Sequence, residues 1–406
     1  MEAGTSSQLH VHVLGDDQPG ILADVLEFIV ESGCLVVDIK QFVFNGQLNL
    51  SLLVESTASG KLGKLRTALA EAPQLAHLKV SVTPWEAGRR PESLYGYRQV
   101  VTLLGRRLGP VALSELTRTL ADLDINILRI EQLDYSDHHV LEFIIGARRP
   151  MAGVDVINAL VHFKEDFGVD LAVQEDTLFR RNKRLIVFDA DMTFLQCEVI
   201  DEMGKLAGVG EALSRITHAA MNGELDFTEA LKQRVALLKG LTRDQLLELA
   251  ENIPLTPGAA DLVRILKHLG YKVAIVSGGF HFFIDRLREK YGLDYGFANR
   301  LDFEGDRVSG RLKGEIIDAA AKERILLDLA KREGLSVEQV VAVGDGANDI
   351  HMLARAGLGI AFNAKPIVER HARASLSTSN LELILYFLGI PGPEIQQLRK
   401  LSGGGA

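Results

Sequence analysis

Four short, unbroken aliphatic runs constrain this chain more than any other feature: LIVFD (185–189), KVAIVSGG (272–279), QVVAVGDG (339–346) and LGIAF (358–362). Each is too short for a helix and too continuously apolar for a half-exposed strand, so both of its faces must be covered. Helix-like segments separate the runs, which predicts an α/β domain with a parallel sheet and helices on both faces. The carboxyl ends of such strands open on one crevice. Three of the runs end in polar residues, so Asp189, Ser277 and Asp345 are expected to meet there.

The residue types at those ends suit one reaction. Asp189-Ala190-Asp191-Met192-Thr193 places carboxylates at i and i+2, able to act as a nucleophile and a separate general acid/base if a cation screens their repulsion. Taken alone, the same residues make a polar strand-to-loop turn with Asp capping a helix. Ser277-Gly278-Gly279 offers a hydroxyl and backbone N–H groups to phosphoryl oxygens, and is also an ordinary glycine turn. In Gly344-Asp345-Gly346-Ala347-Asn348-Asp349, small residues let the backbone close on an ion, and Asp345 and Asp349 supply the hard oxygens that magnesium prefers. Lys322, in DAAAKERILLDLA, has the setting of a surface cation, and only its place between the Ser277 and Asp345 segments marks it.

The first 184 residues read as a duplication. LHVHVLGD (8–15) alternates like a strand, and Pro19-Gly20 opens a helix with Ile21, Leu22, Val25, Leu26 and Ile29 on one face. Strand-like runs 34–44 and 47–55 flank Asn45-Gly46, a tight-hairpin dipeptide, and a helix near 61–71 and a strand near 77–83 complete βαββαβ. The order recurs with strand 98–105, helix 110–123, strands 125–133 and 139–146, one helix over 152–166 and strand 168–174. Segments 83–96 and 175–184 have linker composition and divide the chain into three modules.

A net charge of −9 over 406 residues argues against general affinity for nucleic acid or anionic lipid. The basic runs Arg89-Arg90, Arg106-Arg107 and Arg180 to Arg184 are expected to be solvated faces or linkers. No apolar stretch approaches the roughly 20 residues of a membrane span. MEAGTSSQLH lacks the features of a signal peptide, so a cytoplasmic protein is expected. Cys34 and Cys197 fall in different modules and support neither a disulfide framework nor a zinc site.

In order along the chain, Asp189-x-Asp191-x-Thr193, Ser277, Lys322 and Gly344-Asp345-Gly346-x-Asn348-Asp349 resemble the haloacid dehalogenase-like (HAD) phosphohydrolases. The resemblance implies a Rossmann-like domain over 183–395 in which Asp189 forms an aspartyl phosphate and Asp191 serves as acid and then base. It implies Mg2+ held by Asp189, Asp345 and a backbone oxygen of Asp191, with Asp349 ordering the metal surroundings. Ser277, Gly278, Lys322 and Asn348 would receive the phosphoryl group. Residues 199–257 form a helical cap whose MNGELDFTEALKQRVALLKGL (221–241) is similar to that of phosphoserine phosphatases. By that likeness Glu198 holds the substrate ammonium, Arg234 its carboxylate, and Met221 and Phe227 close apolar walls, making O-phosphoserine the expected substrate in serine biosynthesis. Ala190 and Met192 depart from the family pattern. Another small phosphate ester or a phosphoprotein is the competing substrate class, and a non-enzymatic amino-acid sensor is the reading from outside enzymology.

The two repeats, 8–84 and 97–175, resemble ferredoxin-like ACT domains, with Asp17-Gln18-Pro19-Gly20 and the looser Leu108-Gly109-Pro110 at their first loops. This implies a homodimer and an amino-acid effector, such as serine, near Gly20 and Gly109.

Overall fold

The computed structural model describes residues 7–56, 60–85, 95–221 and 224–403, with the side chains of Ser7, Val154 and Met221 outside that description. The chain divides into two compact units, Met1–Leu94 and Tyr95–Ala406.

The first unit runs β1 (Ser7–Asp16), α1 (Ile21–Glu31), β2 (Leu35–Phe44), β3 (Gln47–Ser56), α2 (Lys61–Glu71) and β4 (Lys79–Trp85). Its antiparallel sheet has the order β2-β3-β1-β4. Asn45 and Gly46 both take positive φ, 49° and 76°, the backbone that a two-residue hairpin needs to match strand twist. Along β3 burial alternates, so Leu48, Leu50, Leu52 and Val54 join Val11 and Val13 of β1 on the face that packs against Val25 and Ile29 of α1 and Leu65 and Leu69 of α2. Residues 86–94 of the first expected linker lie outside the described residues.

The second unit begins with β5 (Tyr97–Gly105), α3 (Pro110–Asp122), β6 (Ile125–Asp134), β7 (His139–Ala147), α4 (Gly153–Ala159), α5 (Val161–Phe167) and β8 (Asp170–Glu175). The single helix expected over 152–166 is two, broken at Leu160 (φ −95°, ψ 2°). Buried Ile157, Leu160 and Phe163 keep a helical period across the break, so the apolar pattern carries no trace of it.

The chain continues through β9 (Leu185–Phe188), the cap helices α6 (Val199–Leu206), α7 (Gly210–Met221), α8 (Phe227–Leu237) and α9 (Arg243–Asn252), and then α10 (Ala259–His268). Next come β10 (Lys272–Phe280), α11 (His281–Tyr291), β11 (Tyr295–Glu304), β12 (Arg307–Lys313), α12 (Ala319–Arg332), β13 (Val340–Gly344), α13 (Ile350–Arg355), β14 (Leu358–Phe362) and β15 (Ala374–Leu376). Strands β11, β10, β9, β13, β14 and β15 lie side by side and parallel, with β12 antiparallel at the edge. The order of connection reverses between β9 and β13, which is where an open α/β sheet forms its crevice.

At the other side of this sheet β15 pairs antiparallel with β8, through Ala374↔Ala172 and Ser375↔Leu171. The second βαββαβ module therefore extends the parallel sheet to eleven strands in place of forming a separate body. This corrects the reading of 175–184 as a solvated linker. Arg180 and Lys183 are buried, Arg180 pairs with buried Glu142 of β7, and Lys183 Nζ donates to the Glu338 carbonyl at 2.5 Å. Shared strand pairing packs the segment between the two modules. Among the described residues no helix is long and apolar enough to cross a membrane.

Candidate active site

β9 is wholly buried and hands the chain to Asp189, whose N–H donates to Val343 of β13 at 2.8 Å. The carboxylate folds back, and its Oδ1 accepts from the Ala190 N–H at 2.8 Å. Residues Ala190–Phe194 make one wide turn closed by Leu195 N–H to Ala190 O at 2.8 Å. Met192 sits in it at φ 56°, a left-handed conformation costing a non-glycine residue about 1 kcal/mol. The turn aims Thr193 Oγ1 at Asp345 Oδ1, 3.0 Å away, while the Thr193 carbonyl accepts from Thr256 Oγ1 at 2.6 Å.

Lys322 is fully buried in the first turn of α12, its Nζ 2.7 Å from Asp189 Oδ1 and 2.7 Å from Asp349 Oδ1. The surface setting suggested by its neighbours does not hold. Asp349 is also fully buried, and its Oδ2 accepts from the Gly346 N–H at 3.1 Å. Gly344 permits this: a Cβ there would stand 2.4 Å from Asp349 Oδ2. Ser277, at the end of β10, is buried with its Oγ accepting from the Gly279 N–H at 2.8 Å. Asn299 of β11 gave no signal in the sequence, yet it fixes this turn. Its Nδ2 donates to the Gly278 carbonyl at 2.7 Å and its Oδ1 accepts from Ile317 N–H at 2.8 Å, just before α12.

The cap closes the other side of a 390 Å³ cleft lined by Asp189, Asp191, Glu198, Phe227, Arg234, Gly278, Asp345 and Asn348. Asp191 Oδ1 accepts from the Val199 N–H at 3.2 Å, at the start of α6, which ties this carboxylate to the first cap helix. Glu198 precedes the same helix, and Arg234 lies in the last turn of α8 with its buried Nε lacking a hydrogen-bond partner. The Phe227 ring would lie 3.4 Å from a Cβ on Gly278. The Met221 side chain lies outside the described residues.

Burial, then the neighbouring Asp349, pushes the Asp189 carboxyl well above its usual range, with Lys322 opposing. Asp345 is raised to about 6 by burial and Asp349, against the Thr193 hydrogen bond. Asp191 is raised to about 7 by burial and then Glu198. Burial disfavours the Lys322 charge, but the two carboxylates outweigh it and hold the ammonium above its usual range. Three carboxylates, Asp189, Asp345 and Asp349, bring oxygens within 4.8 Å of one another, and two of them, Asp189 and Asp349, are bonded to Lys322. Such an all-oxygen set with excess negative charge fits a hard divalent cation. Asp349 spends its oxygens on Lys322 and Gly346, which leaves Asp189 and Asp345 as the side chains best able to hold one.

The expected effector glycines differ from each other. Gly20 precedes α1 at φ 103°, where a side chain would be strained, whereas Gly109 precedes α3 in an extended conformation (φ −82°) open to any residue. Among the described residues, nothing beyond the adjoining chain lies within 4 Å of a Cβ built on either.

Residues 183–357 match the haloacid dehalogenase-like hydrolases, and 7–83 and 98–174 each match an ACT domain. Over 391 residues the chain is 39% identical to a phosphoserine phosphatase of Streptomyces coelicolor, covering 96% of this chain and 93% of that one. It is 50% identical over 251 residues to a phosphoserine phosphatase of Archaeoglobus fulgidus, covering 62% of this chain and 73% of that one. Among solved structures, a probable phosphoserine phosphatase of Vibrio cholerae superposes with a TM-score of 0.57 at 33% identity, over 73% of this chain and 88% of that one.

Proposed function

Since the chain belongs to the phosphoserine phosphatases, HAD hydrolases here joined to two ACT domains, we propose that it hydrolyses O-phospho-L-serine through a phosphoenzyme on Asp189. One observation carries the substrate: a cleft with Asp189, Asp191 and Asp345 in its lining, and Lys322 buried behind Asp189, has an acid, Glu198, and an arginine with an unpaired Nε, Arg234, on its cap side. An ammonium suits Glu198, and a carboxylate suits the guanidinium fork.

Two donors, Ala190 N–H and Lys322 Nζ, converge on Asp189 Oδ1 and fix the carboxylate, so Oδ2 is free to attack phosphorus. Asp191, with its carboxyl near 7, starts protonated often enough to give its proton to the departing serine oxygen, and as carboxylate it then takes one from the hydrolytic water. Ser277, the Gly278 backbone, Asn348 and Lys322 surround the phosphoryl oxygens, where charge must be met in a loose transition state. The family is metal-dependent, and Mg2+ held by Asp189, Asp345 and the Asp191 backbone would supply positive charge to the phosphoryl group.

ACT domains indicate regulation, and we assign serine as effector near the loops of Gly20 and Gly109. A homodimer formed through the first unit is supported by its edge strand β2, where Leu35, Phe42 and Phe44 are exposed. The substrate assignment is tested by Arg234→Ala. It should lower kcat/KM for phosphoserine about 100-fold or more, as loss of a charge-assisted pair implies, and alter p-nitrophenyl phosphate turnover less than threefold. Equal losses on both substrates would remove Arg234 from carboxylate recognition.

A further inference from the structure

A second charged cleft lies at the opposite edge of the sheet from the active site. Its walls come from Arg180 and Lys183, just before β9, from Ser336–Glu338, just before β13, and from 354–357, just before β14. These are amino ends of strands whose carboxyl ends carry the catalytic residues. β8 runs antiparallel to β15 and so brings the end of its own strand, with Glu175, to the same edge. The cleft measures 420 Å³.

Four cations line it, Arg180, Lys183, Arg355 and Arg373, against two acids, Glu175 and Glu338. Arg180 and Lys183 are 5% and 4% exposed, so these charges are built into the structure and do not belong to a solvated rim. The acids do not balance them. Glu175 stands 3.8 Å from Arg373, and Glu338 accepts from the Ser336 hydroxyl. Arg180 is met from its other side by Glu142, and its Nε has no hydrogen-bond partner. Among the described residues no carboxylate forms an ion pair with Lys183 or Arg355, and Lys183 has only the Glu338 carbonyl as its acceptor. Burial, then Arg373 and Arg180, lowers Lys183 to about 8, with Glu338 and Glu175 opposing the shift.

A buried cation with no carboxylate paired to it, as Lys183 is, is costly, and a cleft that gathers further cations around it lowers that cost by taking up an anion. We propose that this cleft is a binding site for a phosphate-type oxyanion, held by Lys183 as a point charge and by the forks of Arg355 and Arg373, and distinct from the catalytic phosphoryl site. Two guanidinium groups and an ammonium match a dianion with several acceptor oxygens better than they match one carboxylate. The bound ion would tie the end of β8 to the feet of β9 and β14, bridging the second βαββαβ module and the catalytic sheet.

The probe is radiolabelled inorganic phosphate in equilibrium dialysis with the full chain. Arg355→Ala/Arg373→Ala should bind one equivalent per chain fewer than the wild type, with kcat and KM in phosphate-free buffer unchanged because neither residue touches the catalytic cleft. Equal stoichiometry and affinity in the two proteins overturns the proposal. If the double variant does not fold, Arg355→Ala alone, an exposed position, should weaken the additional site about tenfold. Unchanged affinity there overturns it equally.

Discussion

At the scale of single residues, Lys322 joins stability to chemistry. Two carboxylates share its ammonium at the foot of the cleft, where burial raises the Asp189 carboxyl and Lys322 opposes that rise. Lys322→Met would leave uncompensated buried charge, at about 3–5 kcal/mol, so urea unfolding in EDTA should show a loss of that size. The same variant should turn over substrate about 100-fold more slowly, since a preorganised charge is gone from the phosphoryl site. Asp170 works in the opposite sense. It is buried, accepts from Ser377 N–H at 2.7 Å, and has its carboxyl raised to about 6, chiefly by burial. A folded-state value above the unfolded one means that its stabilising contribution is complete below about pH 4 and is lost as pH rises through 6. Asp170→Asn should therefore raise stability by about 1–3 kcal/mol at pH 8 and leave it unchanged at pH 4, read from urea midpoints at the two pH values.

At the scale of elements, the site depends on which strand lies beside which. β10 and β13 flank β9, so Ser277 and Asp345 arrive on either side of Asp189. Asn299 of β11 then ties the Gly278 turn to the entry of α12, the helix that carries Lys322. Asn299→Ala would leave a buried carbonyl and a buried N–H unpaired, so stability should fall by about 2–4 kcal/mol in urea unfolding, with kcat reduced as the turn loosens. Much of this was legible in the sequence, because a fully buried parallel strand writes a continuous aliphatic run and a polar terminus, as Leu185–Asp189 and Val340–Asp345 do. Asn299 was not legible, since a residue that acts by bridging two backbone groups in space leaves no periodic signal. Lys322 was marked only by its order along the chain, because its helical neighbours Glu323, Arg324 and Asp328 dress it as a surface charge. The break at Leu160 was hidden because the buried period continues through it.

At the scale of the whole molecule, the pairing of β8 with the three-residue strand β15 was likewise beyond the sequence, for a strand that short carries almost no pattern of its own. It joins the second βαββαβ module and the catalytic sheet within one compact unit. A chain beginning at residue 95 should fold and retain turnover. One beginning at residue 183 would bare the β15 edge and lose long-range bonds that include Gln174 Nε2 to Phe387 O, Tyr386 OH to Asp134 and Ser377 N–H to Asp170. That shorter chain should aggregate on size-exclusion chromatography and unfold at lower urea. The continuous sheet has a mechanical consequence as well. A module fastened by backbone ladders cannot swing on a hinge, so whatever load a ligand places on it must spread as torsion through the strands, and the sheet serves as a spring whose stiffness sets how much of that twist reaches the far end.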